Sequence, residues 1–407
     1  MKKINLAFFL LIAGTVVSGA QNVSPVHNRV FDYVPAPGQF INALPEWEEG
    51  DDAAAMAQKA YDAMSNEEMI SLGAYGGYVT VGFEKTIVNA EGKRDIFIEG
   101  NAFYANASTR VGGSAEPGVV LVAYDINKNG RPDDNEWFEI AGSEYNNSIH
   151  GYEITYTRPA SDTDDIAWKD NQGNTGKVCY LPYNKQPYWP QWLRDKAELT
   201  FRGMRLPDNG KDIGTPDAPF FKLESFDYGY ADNHPNWNSD NTDYNEDAKI
   251  DIDWAVDRNG NAVKMPGVDF VRIYTGVNQS NGWIGENSTE VIRVMNAHIK
   301  RDGRNEYVDE SVKIDEKVLA DFMAKYGEGG SVEDIANDNL RLYFDCRSGM
   351  LSFTLTAPAF VQIYDMSGRQ VYAGQAGVGA HEMDMNAYPS GLYIVKVHDK
   401  TLKLMKK

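Results

Sequence analysis

The sequence is poor in cysteine and histidine, and both shortages limit what the protein can be. Its 407 residues include only two cysteines, Cys179 and Cys346, so the chain is not a disulfide-braced scaffold. Their wide separation favours two unpaired, small apolar residues, although an oxidising compartment leaves a disulfide between them open. The six histidines are scattered without the close spacing of a metal-binding cluster.

Positive charge is also scarce. The chain carries 39 basic against 59 acidic residues, which gives a net charge of −20. Binding to nucleic acid or to anionic lipid needs clustered lysine and arginine, so the sequence predicts neither partner. No long apolar run follows the N-terminal region, and we therefore expect no transmembrane segment in the mature protein.

The common catalytic motifs are missing as well. The sequence has no Gly-x-Ser-x-Gly turn, no His-Glu-x-x-His pair, no phosphate-binding loop and no dinucleotide fingerprint. These absences favour a protein that is not an enzyme. Glycoside hydrolysis needs only two carboxylates beside the scissile bond, so a hydrolase stays open as an alternative.

The N-terminus has the pattern of a secretory signal peptide. Lys2 and Lys3 precede an apolar run from Leu6 to Val17, and small residues at Ser18 and Ala20 suit a cleavage site. The run is shorter than the roughly 20 apolar residues of a membrane span. We expect residues 1–20 to be removed.

The C-terminal part alternates apolar and polar residues over 361–371 and 383–397, with glycine and proline between. This period of two predicts a small antiparallel β-sandwich. The turn with Asp365, Gly368 and Val371, the strand at 389–397 and the basic tail resemble the C-terminal sorting domain of type IX secretion cargo in Bacteroidetes. The resemblance covers residues 345–407. It implies an immunoglobulin-like sandwich, recognition by the type IX secretion machinery, and secretion or display on the outer cell surface.

Between the two ends, short β-like runs such as 118–124 and 270–274 are separated by turn residues. Many short strands at this spacing favour a large jelly-roll or β-sandwich domain over residues 66–300. One short helix, 51–64, ends an extended leader (residues 21–65), and a second, 315–326, opens a helix-and-linker segment (residues 301–344). The predicted fold is all-β, with a large sandwich followed by the small sorting domain.

Several segments of the large domain, including 76–79, 116–118 and 137–143, resemble a group of Bacteroidetes cell-surface proteins. Some members of that group accompany outer-membrane nutrient-uptake systems. The resemblance covers about residues 60–300. It implies a role at the cell surface and identifies no functional residue.

One stretch has the spacing of a calcium-binding loop. Counted from Asp125, oxygen-bearing side chains stand at positions 1, 3, 5, 9 and 12, with glycine at 6 and a backbone carbonyl at 7: Asp125, Asn127, Asn129, Asp133, Glu136, Gly130 and Arg131. Calcium takes six to eight oxygen ligands, and this pattern matches the EF-hand loop. Strand-forming residues precede it, so we expect a structural ion in a loop between β elements. A surface turn that binds nothing is the alternative.

A second acidic stretch is less specific. Asp240, Asp243, Glu246 and Asp247 crowd one loop without the ordered spacing of the first. A second cation site stays open there, although a solvated acidic loop is the favoured interpretation.

Aromatic rings stand among Asn, Asp and Gly in several tracts. Rings that stack on sugars or planar cofactors, with amides that bind the polar edge, are a common way to hold such ligands. The candidate ligand residues are Tyr230, Asn233, Trp237 and Trp283. The alternative is that these rings fill the core, which applies least to Trp237 and Trp283.

These patterns together predict a secreted, surface-displayed and calcium-stabilised protein that binds a glycan or a scavenged nutrient. A calcium-dependent glycoside hydrolase or depolymerase is one alternative. An adhesin or structural surface protein with a protein partner is the other.

Overall fold

The computed structural model describes residues 22–106, 111–327, 340–345, 350–355, 358–365, 369–397 and 400–406. The predicted signal peptide, residues 328–339 of the predicted linker, and Cys346 lie outside the described residues. Cys179 is exposed and forms no disulfide with another described residue. That the two cysteines are unpaired stays a prediction.

As far as residue 327, the strands of the described chain are, in order, β1 (Arg29–Val34), β2 (Ile70–Ser71), β3 (Tyr78–Val88), β4 (Ile96–Glu99), β5 (Phe103–Asn106), β6 (Val111–Ser114), β7 (Gly118–Ala123), β8 (Trp137–Ile140), β9 (Ile149–Thr157), β10 (Ile166–Asp170), β11 (Thr175–Val178), β12 (Glu198–Arg205), β13 (Gly210–Asp212), β14 (Phe221–Leu223), β15 (Lys249–Ile250), β16 (Ala255–Val256), β17 (Gly267–Thr275), β18 (Glu290–Val291), β19 (Arg293–Asn296), β20 (Ile299–Asp302) and β21 (Asn305–Val308). The two α-helices of the described residues are α1 (Ala53–Ser65) and α2 (Glu316–Tyr326). Strands dominate, which confirms the predicted all-β class.

The largest sheet has the strand order β1-β3-β17-β7-β8-β16, with every neighbouring pair antiparallel. We call it the main sheet. A second antiparallel sheet has the order β11-β10-β9-β12. The predicted leader contributes β1 to the edge of the main sheet, so it is part of the domain rather than a cover over it.

The main sheet separates two hydrophobic cores. Successive side chains of a strand point to opposite faces. On β17, Val271 and Ile273 belong to the first core, whereas Tyr274 belongs to the second. The second core also takes in Tyr156 of β9 and Phe201 of β12, so it lies between the main sheet and the four-stranded sheet.

Both helices begin close to the residues that the sequence predicts: α1 starts at Ala53 instead of residue 51, and α2 starts at Glu316, directly after the predicted residue 315. Asp52 caps α1 by accepting a hydrogen bond from the Ala55 N–H, and Asp315 caps α2 at the N–H groups of Lys317 and Val318. Phe322 of α2 is 2% exposed and belongs to the first core. The helix that opens the predicted linker segment therefore completes the large domain.

The described part of the C-terminal region has strands β22 (Leu340–Asp345), β23 (Met350–Leu355), β24 (Ala359–Asp365), β25 (Gln370–Ala376), β26 (Gly379–Asp384), β27 (Gly391–Val397) and β28 (Lys400–Lys406). They form a sheet β22-β23-β26 and a sheet β25-β24-β27-β28. Phe353 from the first sheet shares one core with Ile363 and Val395 from the second. Two antiparallel sheets around a common core form the small sandwich that the alternation predicts.

We predict that Phe322→Ala lowers the free energy of unfolding of the large domain by about 3–5 kcal/mol. The ring is buried against Tyr124 and Phe138, with centroids 5.7 Å from each, so its removal leaves a cavity. Urea unfolding followed by tryptophan fluorescence measures the loss. The matched control is Phe360→Ala, which removes a ring that is 54% exposed and should change stability by less than about 0.5 kcal/mol. Equal effects of the two variants would contradict the placement of α2 in the core.

Candidate functional site

The predicted calcium loop joins β7 to β8, which are neighbours in the main sheet with Ala123 opposite Trp137. Inside the loop the chain turns through left-handed backbone at Lys128 (φ 59°) and Gly130 (φ 73°). Glycine takes this conformation without steric cost, which accounts for its place at position 6. The loop is thus held at both ends by paired strands.

The oxygen-bearing side chains are hydrogen-bonded within the loop. The Asp125 carboxylate accepts hydrogen bonds from the N–H groups of Asn129 (3.0 Å) and Gly130 (2.8 Å). The Asp133 carboxylate accepts from the side-chain amides of Asn127 and Asn129. The Glu136 carboxylate accepts from the N–H groups of Ile126 (2.8 Å) and Asp133 (3.1 Å), which lie 10 and three residues before it. One hydrogen-bond network therefore connects the residues at positions 1, 3, 5, 9 and 12.

Arg131 at position 7 takes part through its backbone. Its N–H donates to Asn129 Oδ1 at 2.7 Å, which tightens the turn after Gly130. The expected contribution of its carbonyl to a cation stays a prediction.

The loop carboxylates are crowded. Asp125 is 8% exposed and Glu136 is 1% exposed. Burial raises the pKa of Glu136 above its usual value, and the nearby Asp133 and Asp125 carboxylates raise it further, against two backbone hydrogen bonds that lower it. A divalent cation would neutralise this repulsion, so calcium fits the chemistry of the donor set.

The tightest group of carboxylates in the described chain lies elsewhere. Glu116, Asp232 and Glu290 have carboxylate oxygens that all lie within 4.8 Å of one another, closer than the three acids of the loop. We call these three residues the buried acidic cluster. In EF-hand loops the residue at the ninth position often contacts the ion through a water molecule. The wider separation of the carboxylates in the predicted calcium loop is therefore compatible with the EF-hand pattern.

Backbone groups position the cluster. Asp232, with φ 48°, accepts hydrogen bonds from the N–H groups of Asn101 (2.7 Å), Ala102 (2.8 Å) and Glu290 (3.0 Å). Glu116 accepts from the Ser288 N–H at 2.9 Å. Loops from three distant parts of the sequence therefore meet at this point.

The cluster has no compensating positive charge. Its members are 9%, 2% and 4% exposed, and within the described residues none of them forms an ion pair with lysine, arginine or histidine. Burial, followed by repulsion from Asp232, raises the pKa of Glu116 to about 8. Burial raises the pKa of Asp232 to about 7 and that of Glu290 well above its usual range. Near neutral pH the group either keeps protons or holds a cation.

Sequence reasoning missed this cluster. Residues 116, 232 and 290 have no regular spacing, and each stands in a different turn-rich segment. Two of the acidic residues that do crowd the sequence pair with distant arginines: Asp243 with Arg301 at 3.1 Å, and Asp247 with Arg94 at 3.7 Å. This arrangement fits the solvated acidic loop that the sequence favours for residues 240–247.

The four predicted ligand residues fall into two pairs. Trp237 and Trp283 are 41% and 51% exposed, and Trp237 lies over Tyr244 with ring centroids 4.9 Å apart. Their rings can meet a ligand from solvent.

Tyr230 and Asn233 are placed differently from that prediction. Both are 1% exposed. The Tyr230 hydroxyl accepts from the Glu144 N–H at 2.9 Å, and the Asn233 amide exchanges two hydrogen bonds of 2.8 Å with the Phe226 backbone. Because the fold already uses their polar atoms, these two residues hold loops together and do not face a ligand.

Comparison with protein families identifies the end of the chain. A family model described as a secretion system C-terminal sorting domain matches residues 341–407. The C-terminal region is a type IX sorting domain. The match begins four residues before the boundary expected from the sequence and confirms the resemblance, which implies a Bacteroidetes origin.

The sorting domain makes the protein a cargo of type IX secretion, which exports it to the cell surface or beyond. It also implies contact with the type IX secretion machinery. Among the described residues no helix is long and apolar enough to cross a membrane. A comparison with curated proteins finds none that matches.

We predict that, in the presence of a chelator, the free energy of unfolding falls as the pH rises from 6.5 to 8.5. A carboxyl group whose native pKa is raised keeps its proton in the folded state after the unfolded chain has lost it. The free energy of unfolding therefore falls with rising pH until the pH passes the native pKa. Each retained proton contributes about 1.4 kcal/mol per pH unit. His27, whose pKa burial lowers to about 4, raises stability as the pH rises towards its unfolded pKa of about 6.5, so it opposes the trend only at the lower edge of this window. Urea unfolding at a series of pH values measures the slope.

The variant for this test is Glu116→Gln, which keeps the shape of the side chain and removes its titration. Its slope should be flatter than that of the unaltered protein. Glu84→Gln, at an exposed position of β3, is the control and should leave the slope unchanged. A stability that stays constant or rises across the window, in the unaltered protein, would contradict the assignment.

Proposed function

We propose that this type IX cargo is a calcium-stabilised binding protein that holds a glycan or a scavenged nutrient outside the cell. The observation that supports the calcium part is the hydrogen-bond network that connects Asp125, Asn127, Asn129, Asp133 and Glu136 in the loop between β7 and β8. The calcium would brace the hairpin, since extracellular calcium is abundant and the loop is built into the main sheet.

Support for the ligand comes from the exposed rings. A large indole that stays in solvent leaves apolar surface uncovered, and sugars offer C–H faces that pack on such rings. Trp283 stands beside Tyr183, whose hydroxyl donates to the Trp283 carbonyl, and Tyr183 is 64% exposed. This pair presents a polar and aromatic surface of the kind that binds carbohydrate.

We predict that calcium raises the stability of the protein and that Asp125→Ala removes the gain. An ion that binds only the native state stabilises it by mass action, by about 2.7 kcal/mol at a hundredfold excess over Kd. The measurement is the melting temperature with calcium and with a chelator, for the unaltered and variant proteins. The difference between the two conditions is the quantity compared, because Asp125→Ala also removes two loop hydrogen bonds.

Asp240→Ala is the matched control. Asp240 also accepts hydrogen bonds inside an exposed turn, from Thr242, but lies outside the calcium loop. It should retain the full calcium response. A response that survives Asp125→Ala and disappears in Glu290→Gln would assign the ion to the buried acidic cluster and overturn the loop site.

We predict that the purified protein binds at least one polysaccharide and that Trp283→Ala or Trp237→Ala weakens the binding. Loss of one stacking ring should lower the affinity about three- to tenfold, in line with a contact of about 0.5–1.5 kcal/mol. Affinity electrophoresis in gels containing soluble starch, xylan, mannan or galactan measures the effect. Phe360→Ala, which removes an exposed ring from the sorting domain, is the control.

The alternatives give different results in the same experiment. Release of reducing ends from a bound polysaccharide would identify a hydrolase. Neither binding nor release would contradict the glycan proposal and favour an adhesin with a protein partner.

A further inference from the structure

One transverse row of the main sheet carries polar side chains across most of its width. The strand register aligns Asp32, Thr80, Arg272, Leu121 and Glu139 on β1, β3, β17, β7 and β8. These side chains lie on the face opposite to Val271 and Ile273, since alternate residues of a strand share a face. It is the face that meets the four-stranded sheet.

A cleft opens along this row. Its volume is about 480 Å³, and it lies between the main sheet and residues 200–203 of β12. Tyr78, Leu121, Glu139 and Arg272 line it from the main sheet. Small-molecule sites in proteins occupy about 300–1,000 Å³, so the cleft has the size of a ligand site.

Glu139 has no partner in this cleft. Within the described chain its carboxyl group makes no hydrogen bond or ion pair, although burial raises its pKa to about 7. Phe138 and Ile140, its neighbours on β8, are buried in the first core and fix the strand. Near neutral pH the Glu139 carboxyl group can therefore both donate and accept hydrogen bonds.

Arg272 is held rigidly on the other side of Leu121. Its guanidinium lies 4.7 Å from the ring centroids of both Tyr78 and Trp137. Its Nε donates to Thr80 Oγ1 at 2.9 Å, and one Nη donates to Asp32 at 3.4 Å. Arginine has five N–H donors, so the remaining donors of this fixed fork are available to a ligand.

The two polar groups are separated by one strand. Neighbouring strands lie about 4.8 Å apart, which places the backbones of Arg272 and Glu139 roughly 10 Å from each other with Leu121 between them. The cleft thus offers donors at one end, an apolar floor, and a carboxyl group at the other end. An anionic ligand would be repelled by Glu139 and by the net charge of −20, and a cationic ligand would be repelled by Arg272.

We propose that this cleft is a binding subsite for a neutral sugar ring. The hydroxyl groups of the ring pair with Glu139 and with the free donors of Arg272, and its C–H face packs on Leu121. This inference rests on the proposed function, to which it adds a location away from the exposed tryptophans and a preference for uncharged carbohydrate.

The test compares variants of the full chain in the gels with starch, xylan, mannan and galactan, and in a gel with anionic polygalacturonate. In gels run above about pH 8, where the Glu139 carboxyl group is ionised, Glu139→Gln should weaken binding to a neutral polysaccharide at least tenfold, because it removes a charge-assisted hydrogen bond. Leu121→Trp, which fills the cleft from its floor, should abolish binding. Glu84→Gln is the control and should bind as the unaltered protein does. Equal melting temperatures show that each variant is folded.

Each other result overturns the proposal in a recognisable way. If a neutral polysaccharide binds and both Glu139→Gln and Leu121→Trp leave its affinity unchanged, the cleft is rejected while the proposed function survives. If only polygalacturonate binds, the neutral class is wrong. If no polysaccharide binds, the cleft and the glycan form of the proposed function fall together.

Discussion

The burial of β17 on both faces is the constraint on which the rest of the structure depends. Val271 and Ile273 enter one core and Tyr274 enters the other, so a shift of one residue in register would exchange apolar and polar side chains between the faces. The predicted calcium loop lies between β7, which pairs directly with β17, and β8, which pairs with β7. The position of Arg272 in the inter-sheet cleft follows from the same register.

Acidic residues are distributed in two ways in this protein. Many are at the surface, where a net charge of −20 favours solubility. Others are gathered where water is scarce, in the calcium loop and in the buried acidic cluster. The second arrangement costs free energy unless protons or cations neutralise it.

The sequence predicts well the features that depend on residues close together in the chain. Asp315 marks the start of α2, the start of α1 is found to within two residues, and the alternation near the C-terminus belongs to a sandwich. The buried acidic cluster and the cleft depend on which strands pair, and that information is not local. Tyr230 illustrates the same limit: its tract looks like a polar loop, yet the ring is enclosed because distant segments fold over it.

The location of α2 has a consequence for proteolytic maturation. The type IX resemblance implies that the sorting domain is cut off after export. A cut before Phe322 would strip the rings of Tyr124 and Phe138 of their cover and leave an adhesive apolar surface on the mature protein. A cut after Tyr326 keeps that surface sealed. A cleavage on the C-terminal side of α2 would therefore leave the first core intact.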